Sequence, residues 1–307
     1  MSVLRAECWG KLPTHGDFVR HRAGAELQEF DRWLQAGLLA ARAKVDWGAA
    51  WPATPPLWFL RRAASGRLLL GALFASRDAA GRDYPFVVGG TLDVREAARP
   101  ELAPLLAAQF LDAAAALGAW AMTGVDHRAV VAEVERLSVE VDPPAAGQRL
   151  AALLAATTLE QLVTGGGAPW DARHLLLDNA ASLLGPRARP RFVVALPGVA
   201  DAAGAAVWLA LVGALRGDPA RFPTLATWTA DPGGLAAGLR VLLVEPGGEH
   251  FLPLMLRHLP SDACDLAREG EGDPKLEREA QGRMAALAAD GALPLRDLAP
   301  RLAELAR

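Results

Sequence analysis

The nine residues Arg67–Ala75, RLLLGALFA, constrain the fold more than any other stretch of this chain. They are too short and too rich in flanking turn residues for a helix. They are also apolar at odd and even positions alike, so both faces of the resulting strand must be covered. A strand of that kind belongs in the middle of a sheet with a layer of structure on each side. Its neighbours in sequence read as strands too: Leu57–Arg62 before it, across a turn at Ser65-Gly66, and Tyr84–Leu92 after it, across a connection at Ser76–Asp83. Adjacent strands without an intervening helix pair antiparallel. Leu4–Trp9 reads as a further strand and Lys11–Arg22 as a loop.

Helical spacing surrounds this core. Glu26–Ala43 places Leu27, Phe30, Leu34, Leu38 and Ala41 on one face. Pro100–Ala121 does the same with Leu102, Leu106, Phe110, Ala113, Leu117 and Trp120, and His127–Leu137 is a further helix. Asp142-Pro143-Pro144 marks a boundary, giving a first domain over 1–142 and a second region over 143–307. In the second region Gln148–Thr164, Gly204–Arg216, Leu276–Ala289 and Leu295–Arg307 read as helices. Arg191–Leu196, Leu225–Thr229, Leu239–Glu245 and Phe251–Leu256 read as strands, and Leu175–Leu184 is ambiguous. The expected fold class is α/β: a mixed, largely antiparallel central sheet flanked by helices on both sides, with a second, smaller mixed α/β or mostly helical region.

Composition excludes several functions. Net charge is −3 over 307 residues, and the charges form no blocks, which is no footprint for nucleic acid or for an anionic membrane surface. Leu102–Val125 is long and apolar, but it is Ala-rich and carries Asp112, so it is expected as a buried helix and not a membrane span. Met1–Gly16 holds Arg5, Glu7 and Lys11 and lacks the apolar core of a signal peptide. Cys8 and Cys264 are too few for a disulfide framework or a zinc site, and they fit reduced thiols in the cytoplasm.

Motifs for chemistry are weak. Gly10-Lys11 lacks the upstream glycine of a phosphate loop, and Gly165–Gly167 has no following lysine, so no nucleotide cofactor is expected. His15, Asp17 and His21 share one segment, but no His-x-x-x-His or His-Glu-x-x-His spacing exists, and no metal is expected. No Gly-x-Ser-x-Gly elbow is present. Ser76, beside Asp78, and Cys8 are the remaining nucleophile candidates, with side-chain capping of a turn the plainer use of Ser76 and Asp78. Of nine tryptophans, five lie within the first sixty residues. Trp33 falls off the Leu27/Leu34/Leu38 stripe, as an interface anchor would. Asp31, at the other edge of the stripe, needs a cation or donor, for which Lys11, Arg20 and Arg82 are candidates.

Three segments combine in order: GKLPTHGDFVR (Gly10–Arg20), FDRWLQAGL (Phe30–Leu38) and SRDAAGRDYPFVV (Ser76–Val88). Together they closely resemble the TagF (ImpM) family of type VI secretion accessory proteins. Pro223–Leu225 with Trp228-Thr229 resembles a late stretch of the same family. The resemblance implies a non-enzymatic cytoplasmic protein that restrains assembly of the secretion apparatus after translation by binding a forkhead-associated scaffold protein. Some relatives carry a fused protein-phosphatase module, whose metal motifs this chain lacks. The residues to watch are then Lys11, Asp17, Asp31, Trp33, Ser76, Asp78 and Arg82, held on loops between buried strands. Asp17 and Arg82 are expected as a pair that either braces two loops or faces the partner. The alternative is a small-molecule or nucleotide-binding sensor that controls that interaction. Oligomeric state is not legible.

Overall fold

A computed structural model of the chain describes residues 2–93, 95, 99–165, 168–199, 201–229, 238–256 and 263–307. The Gly-rich turn expected before Leu239, the last two glycines of the 165–167 run and His258 lie outside these residues.

The apolar opening of the chain is two strands. β1 (Ser2–Arg5) and β2 (Glu7–Lys11) are separated at Ala6, whose N–H donates to the Leu137 carbonyl. The stretch expected as a loop after β2 contains β3 (Phe18–His21), which pairs antiparallel with β2 from Lys11–Phe18 to Cys8–His21. Charged residues hid this strand: Arg20 is exposed on an edge strand, where charge protects against unwanted pairing. Next come α1 (Ala25–Arg42), the single turn α2 (Trp47–Ala50), β4 (Leu57–Arg62), β5 (Leu68–Phe74) and β6 (Phe86–Leu92).

β5 is buried at every position. Leu68, Leu70, Ala72 and Phe74 enter one core while Leu69 and Leu73 enter the other, the two-sided burial that its sequence demands. Seven apolar residues hidden from water on both faces make this strand the centre of the molecule's stability, each large side chain contributing about 1.5–3 kcal/mol.

The expected single helix over Pro100–Ala121 is broken. α3 (Ala103–Leu106) and α4 (Ala108–Ala121) meet at Ala107 with a bend of 60°. The break resets the helical phase, so α4 buries Phe110, Leu111, Ala114, Gly118 and Ala121 and leaves Trp120 39% exposed instead of on the buried stripe. No single helix among the described residues is long and apolar enough to cross a membrane; the bent pair is, by length and composition alone. α5 (His127–Arg136) and β7 (Ser138–Val141) follow, and β7 pairs with β1 as a small separate sheet.

Asp142 caps α6 (Pro143–Ala156) by accepting from Ala145 N–H, with prolines in the first turn, where their missing N–H costs nothing. Then come α7 (Leu159–Thr164), α8 (Arg173–Leu184), β8 (Val194–Leu196), α9 (Ala202–Arg216), β9 (Leu225–Trp228) and β10 (Leu239–Leu242). The strand expected at Phe251–Leu256 is the helix α10 (Phe251–Met255). A run of six apolar residues is compatible with either state when buried, and here Pro253 and the preceding turn at Gly248–His250 favour a helix start. The chain ends with β11 (Cys264–Asp265), α11 (Pro274–Ala288) and α12 (Leu295–Leu305).

Nine strands form one sheet in the order β11-β8-β10-β9-β4-β5-β6-β2-β3. All neighbours are antiparallel except β11 and β8. The expected mixed, largely antiparallel sheet with helices on both sides is therefore what forms. α1 and α10 cover one face through Leu27, Phe30, Leu34 and Phe251, and α4, α8, α9 and α12 pack in the core on the other. The sheet crosses residue 142 without interruption: β4 pairs with β9 from Trp58–Trp228 to Arg61–Leu225. Arg61, 2% exposed, ties the same seam by donating to Glu29 at 2.7 Å, Glu245 at 2.5 Å and the Thr224 carbonyl at 3.3 Å.

Candidate functional site

The β2–β3 turn and the β5–β6 connection emerge side by side, because β2 pairs with β6 and β6 with β5. Asp78 fastens them. Its Oδ2 accepts from Lys11 Nζ at 2.8 Å and from Arg82 Nε at 2.7 Å, and its Oδ1 accepts from the backbone N–H groups of Ala80 and Arg82 at 3.0 and 2.8 Å. The carboxylate is buried. Burial alone would raise its pKa, but the bonds from Lys11 and Arg82 outweigh burial and hold it well below the usual carboxylate range.

Further bonds cross between the loops. Ser76 Oγ donates to the Lys11 carbonyl at 2.7 Å, Ala79 N–H to the His15 carbonyl at 3.1 Å, and Arg82 Nη2 to the Gly16 carbonyl at 2.5 Å. A third segment joins them. Asp83 accepts from Arg77 Nε at 2.7 Å and from Trp47 Nε1 at 2.9 Å, while Trp51 Nε1 donates to the Ser76 carbonyl at 2.8 Å. Trp47 and Trp51 stack at 4.9 Å, with the Arg42 guanidinium 5.1 Å from the Trp47 ring. Asp83, Trp47 and Trp51 were not singled out from sequence; the aromatic clustering before residue 60 was the available signal.

Several expected arrangements do not form. Asp17 and Arg82 make no pair: the exposed Asp17 carboxylate accepts from Phe18 N–H at 2.7 Å, while Arg82 reaches Asp78, four residues back on its own loop. Local geometry wins because Asp78 already gathers backbone donors around a tight turn. Trp33 is not a free anchor. It is 6% exposed, packs against Phe30 and Phe251, and donates Nε1 to the Gly247 carbonyl at 2.9 Å. α10 supplies the wall that sequence reading, taking that segment for a strand, did not place there. Asp31 has none of its three candidate cations; its carboxylate accepts from Gln35 Nε2 at 2.7 Å and from the Tyr84 hydroxyl. Burial and then the Asp31 carboxylate push the Tyr84 phenol up, so Tyr84 serves as a donor.

The chemistry open to these groups is narrow. The Ser76 hydroxyl is spent on a carbonyl. Cys8 is buried in the sheet, and burial pushes its thiol up to about 12, far from a thiolate nucleophile. His15 and His127 lie ring against ring at 4.0 Å, and no group of three or more His, Cys, Asp or Glu among the described residues is placed to hold a metal. A cavity of about 480 Å³ where the two halves meet is lined by Arg99, Pro100 and Glu101 on one side and by Leu150, Leu154, Ala210, Asp218 and Phe222 on the other, an apolar floor with charged groups beside it. What the loops do present outward is a rigid rim: Asp17, Arg77, Gly81 and Arg82 are exposed, on backbone fixed from below.

Residues 7–137 match the family model of the TagF N-terminal domain, Type VI secretion system-associated. The chain carries a TagF domain. The braced loops lie wholly within it, and it contributes five strands to the large sheet, β2, β3, β4, β5 and β6, whereas β8, β9, β10 and β11 come from beyond it. The crystal structure of PA0076 from Pseudomonas aeruginosa PAO1 is similar at 26% identity over 29% of this chain, with a TM-score of 0.28; the match spans 43% of that chain, less than half its length. No curated protein matches.

Proposed function

We propose that this type VI secretion-associated protein is a non-enzymatic, cytoplasmic negative regulator that acts by binding the forkhead-associated scaffold protein of the secretion system. The rim of the TagF domain is the binding face. One observation supports this reading above the others: Asp78 spends its carboxylate and Ser76 its hydroxyl on bracing two loops, leaving charged groups of both signs, Asp17 and Arg77, on an immobilised backbone. Pre-ordered loops bind a partner without an ordering cost.

Size-exclusion chromatography of the full chain with the scaffold from the same secretion cluster tests it. A complex is expected at about 20 µM. Asp17→Arg combined with Arg77→Gln is expected to abolish co-elution with at most a small drop in melting temperature, since Asp17 is exposed and the half-exposed Arg77–Asp83 pair that is lost contributes little. Two folded proteins that elute separately at that concentration, or a complex indifferent to the double variant, would sink the reading.

A further inference from the structure

α4 and α5 form a helical hairpin whose outer side is unfilled. Residues 122–126 connect them, so α5 starts beside the C-terminal end of α4. It then runs back. β7 begins two residues after Arg136 and pairs with β1 at Leu4–Val139. Leu4 and Phe110 both lie against Gly90, 2.8 and 3.0 Å from where a Cβ would stand there. The end of α5 is therefore level with the Phe110 end of α4, and the two helices are antiparallel. Arg136 sits toward Phe110, and Glu133 sits one turn closer to Trp120.

Between the helices lies an open groove of about 560 Å³. Ala113, Ala116, Leu117 and Leu137 make an apolar floor, and Glu133 and Arg136 stand along one side. Trp120 projects at the other end. Of the nine tryptophans it is the one left exposed, at 39%, because the break at Ala107 turned it out of the core. An indole in water beside an apolar floor is surface that burial would stabilise. The charged flank is free to change partners. Among the described residues Glu133 and Arg136 pair only with each other, and their side chains are 47% and 72% exposed.

We propose that the groove is filled by a second copy of this chain, with the two hairpins face to face about a two-fold axis. The face carries both halves of a match. Trp120 is a projection, and Ala113, two turns earlier on the same helix, is a recess about 10.5 Å away. An axis crossing α4 between Ala116 and Leu117 lays Trp120 of each copy over Ala113 of the other. The small side chains of Ala113 and Ala116 let the two α4 helices approach closely. The same rotation brings Glu133 of one copy to Arg136 of the other, and it does so twice. Charges that meet with opposite sign under the symmetry select a copy of the chain over an unrelated apolar helix. One hairpin from each copy makes a small interface, so the association is weak and depends on concentration. It requires no partner but the chain itself and does not rest on the scaffold-binding reading.

Sedimentation equilibrium of the full chain from about 2 to 300 µM tests the pairing. A monomer–dimer equilibrium with a Kd of about 10–100 µM is expected. Trp120→Ala is expected to weaken it at least about tenfold. Glu133→Arg and Arg136→Glu are each expected to weaken it at least about fivefold, because like charges then face each other across the axis. An equimolar mixture of these two variants pairs only opposite charges and is expected to associate within about threefold of wild type. All three variants should keep the wild-type melting temperature at about 2 µM, where the chain is monomeric, since the side chains are exposed. A chain that stays monomeric to about 300 µM, a dimer indifferent to Trp120→Ala, or a mixture no tighter than its components would overturn the proposal.

Discussion

Asp78→Asn is expected to destabilise the chain by about 3 kcal/mol, although the substitution removes no atoms from the packing. The reason is Lys11, which is 6% exposed and would keep its charge while losing its anion. Arg82, whose side chain is 60% exposed, loses less because water replaces the partner. Urea unfolding of Asp78→Asn, Lys11→Met and the double variant reads the coupling directly. The double variant is expected to be more stable than the two single losses summed, by about 1–3 kcal/mol. Additive losses would mean that the pair does not act as one unit. The pH dependence has a definite sign. The folded pKa of Asp78 lies below the unfolded value of about 3.9, so its contribution is complete above that value and disappears as pH falls toward the folded one. Wild-type stability should fall below about pH 4, and the Asp78→Asn curve should be flatter there.

Gly10→Ala is expected to be worse than any surface substitution in the same segment. A Cβ at Gly10 would lie 2.0 Å from the Pro85 carbonyl oxygen and 2.7 Å from Phe86 Cα, and the residue has φ +137°. Both obstacles are backbone at the start of β6, which pairs with β2 at Gly10, so nothing can swing aside. A loss of at least about 3 kcal/mol, or no soluble protein, should follow. Gly16→Ala is the control from the same motif. A Cβ there meets nothing within 4 Å, and stability measured by denaturant should change by less than about 0.5 kcal/mol. Two glycines six residues apart thus have different reasons to exist: one admits a neighbouring strand, the other shapes an exposed turn.

This contrast marks where sequence was legible. The buried-both-sides pattern of β5 predicts its central place because hydrophobic periodicity reports burial directly. The long helices followed from the same signal. β3 was missed because an edge strand needs few apolar residues, and α10 was misread because six buried apolar residues carry no period. In the braced loops, sequence singled out Lys11, Ser76, Asp78 and Arg82 but neither their partners nor Asp83, Trp47 and Trp51. Sequence offers Asp17 and Arg82 as opposite charges on neighbouring loops; only coordinates reveal that Asp78 lies nearer, already encircled by backbone donors. Pairing is decided by loop conformation, which side-chain type does not encode. Trp33 and Asp31 likewise depend on Gly247 and Tyr84, distant in sequence.

The seam between β4 and β9 has a mechanical consequence. Two halves joined by a linker swing; two halves joined by a ladder do not. Opening this molecule near residue 142 would strip the hydrogen bonds from Trp58 to Arg61 and pull Arg61 away from Glu245 and the Thr224 carbonyl. A fragment cut at that point would carry β4 as a raw edge beside an unsealed Arg61, a template for self-association. The rim therefore belongs to one stiff plate that runs through both halves, and a partner gripping it holds the whole molecule.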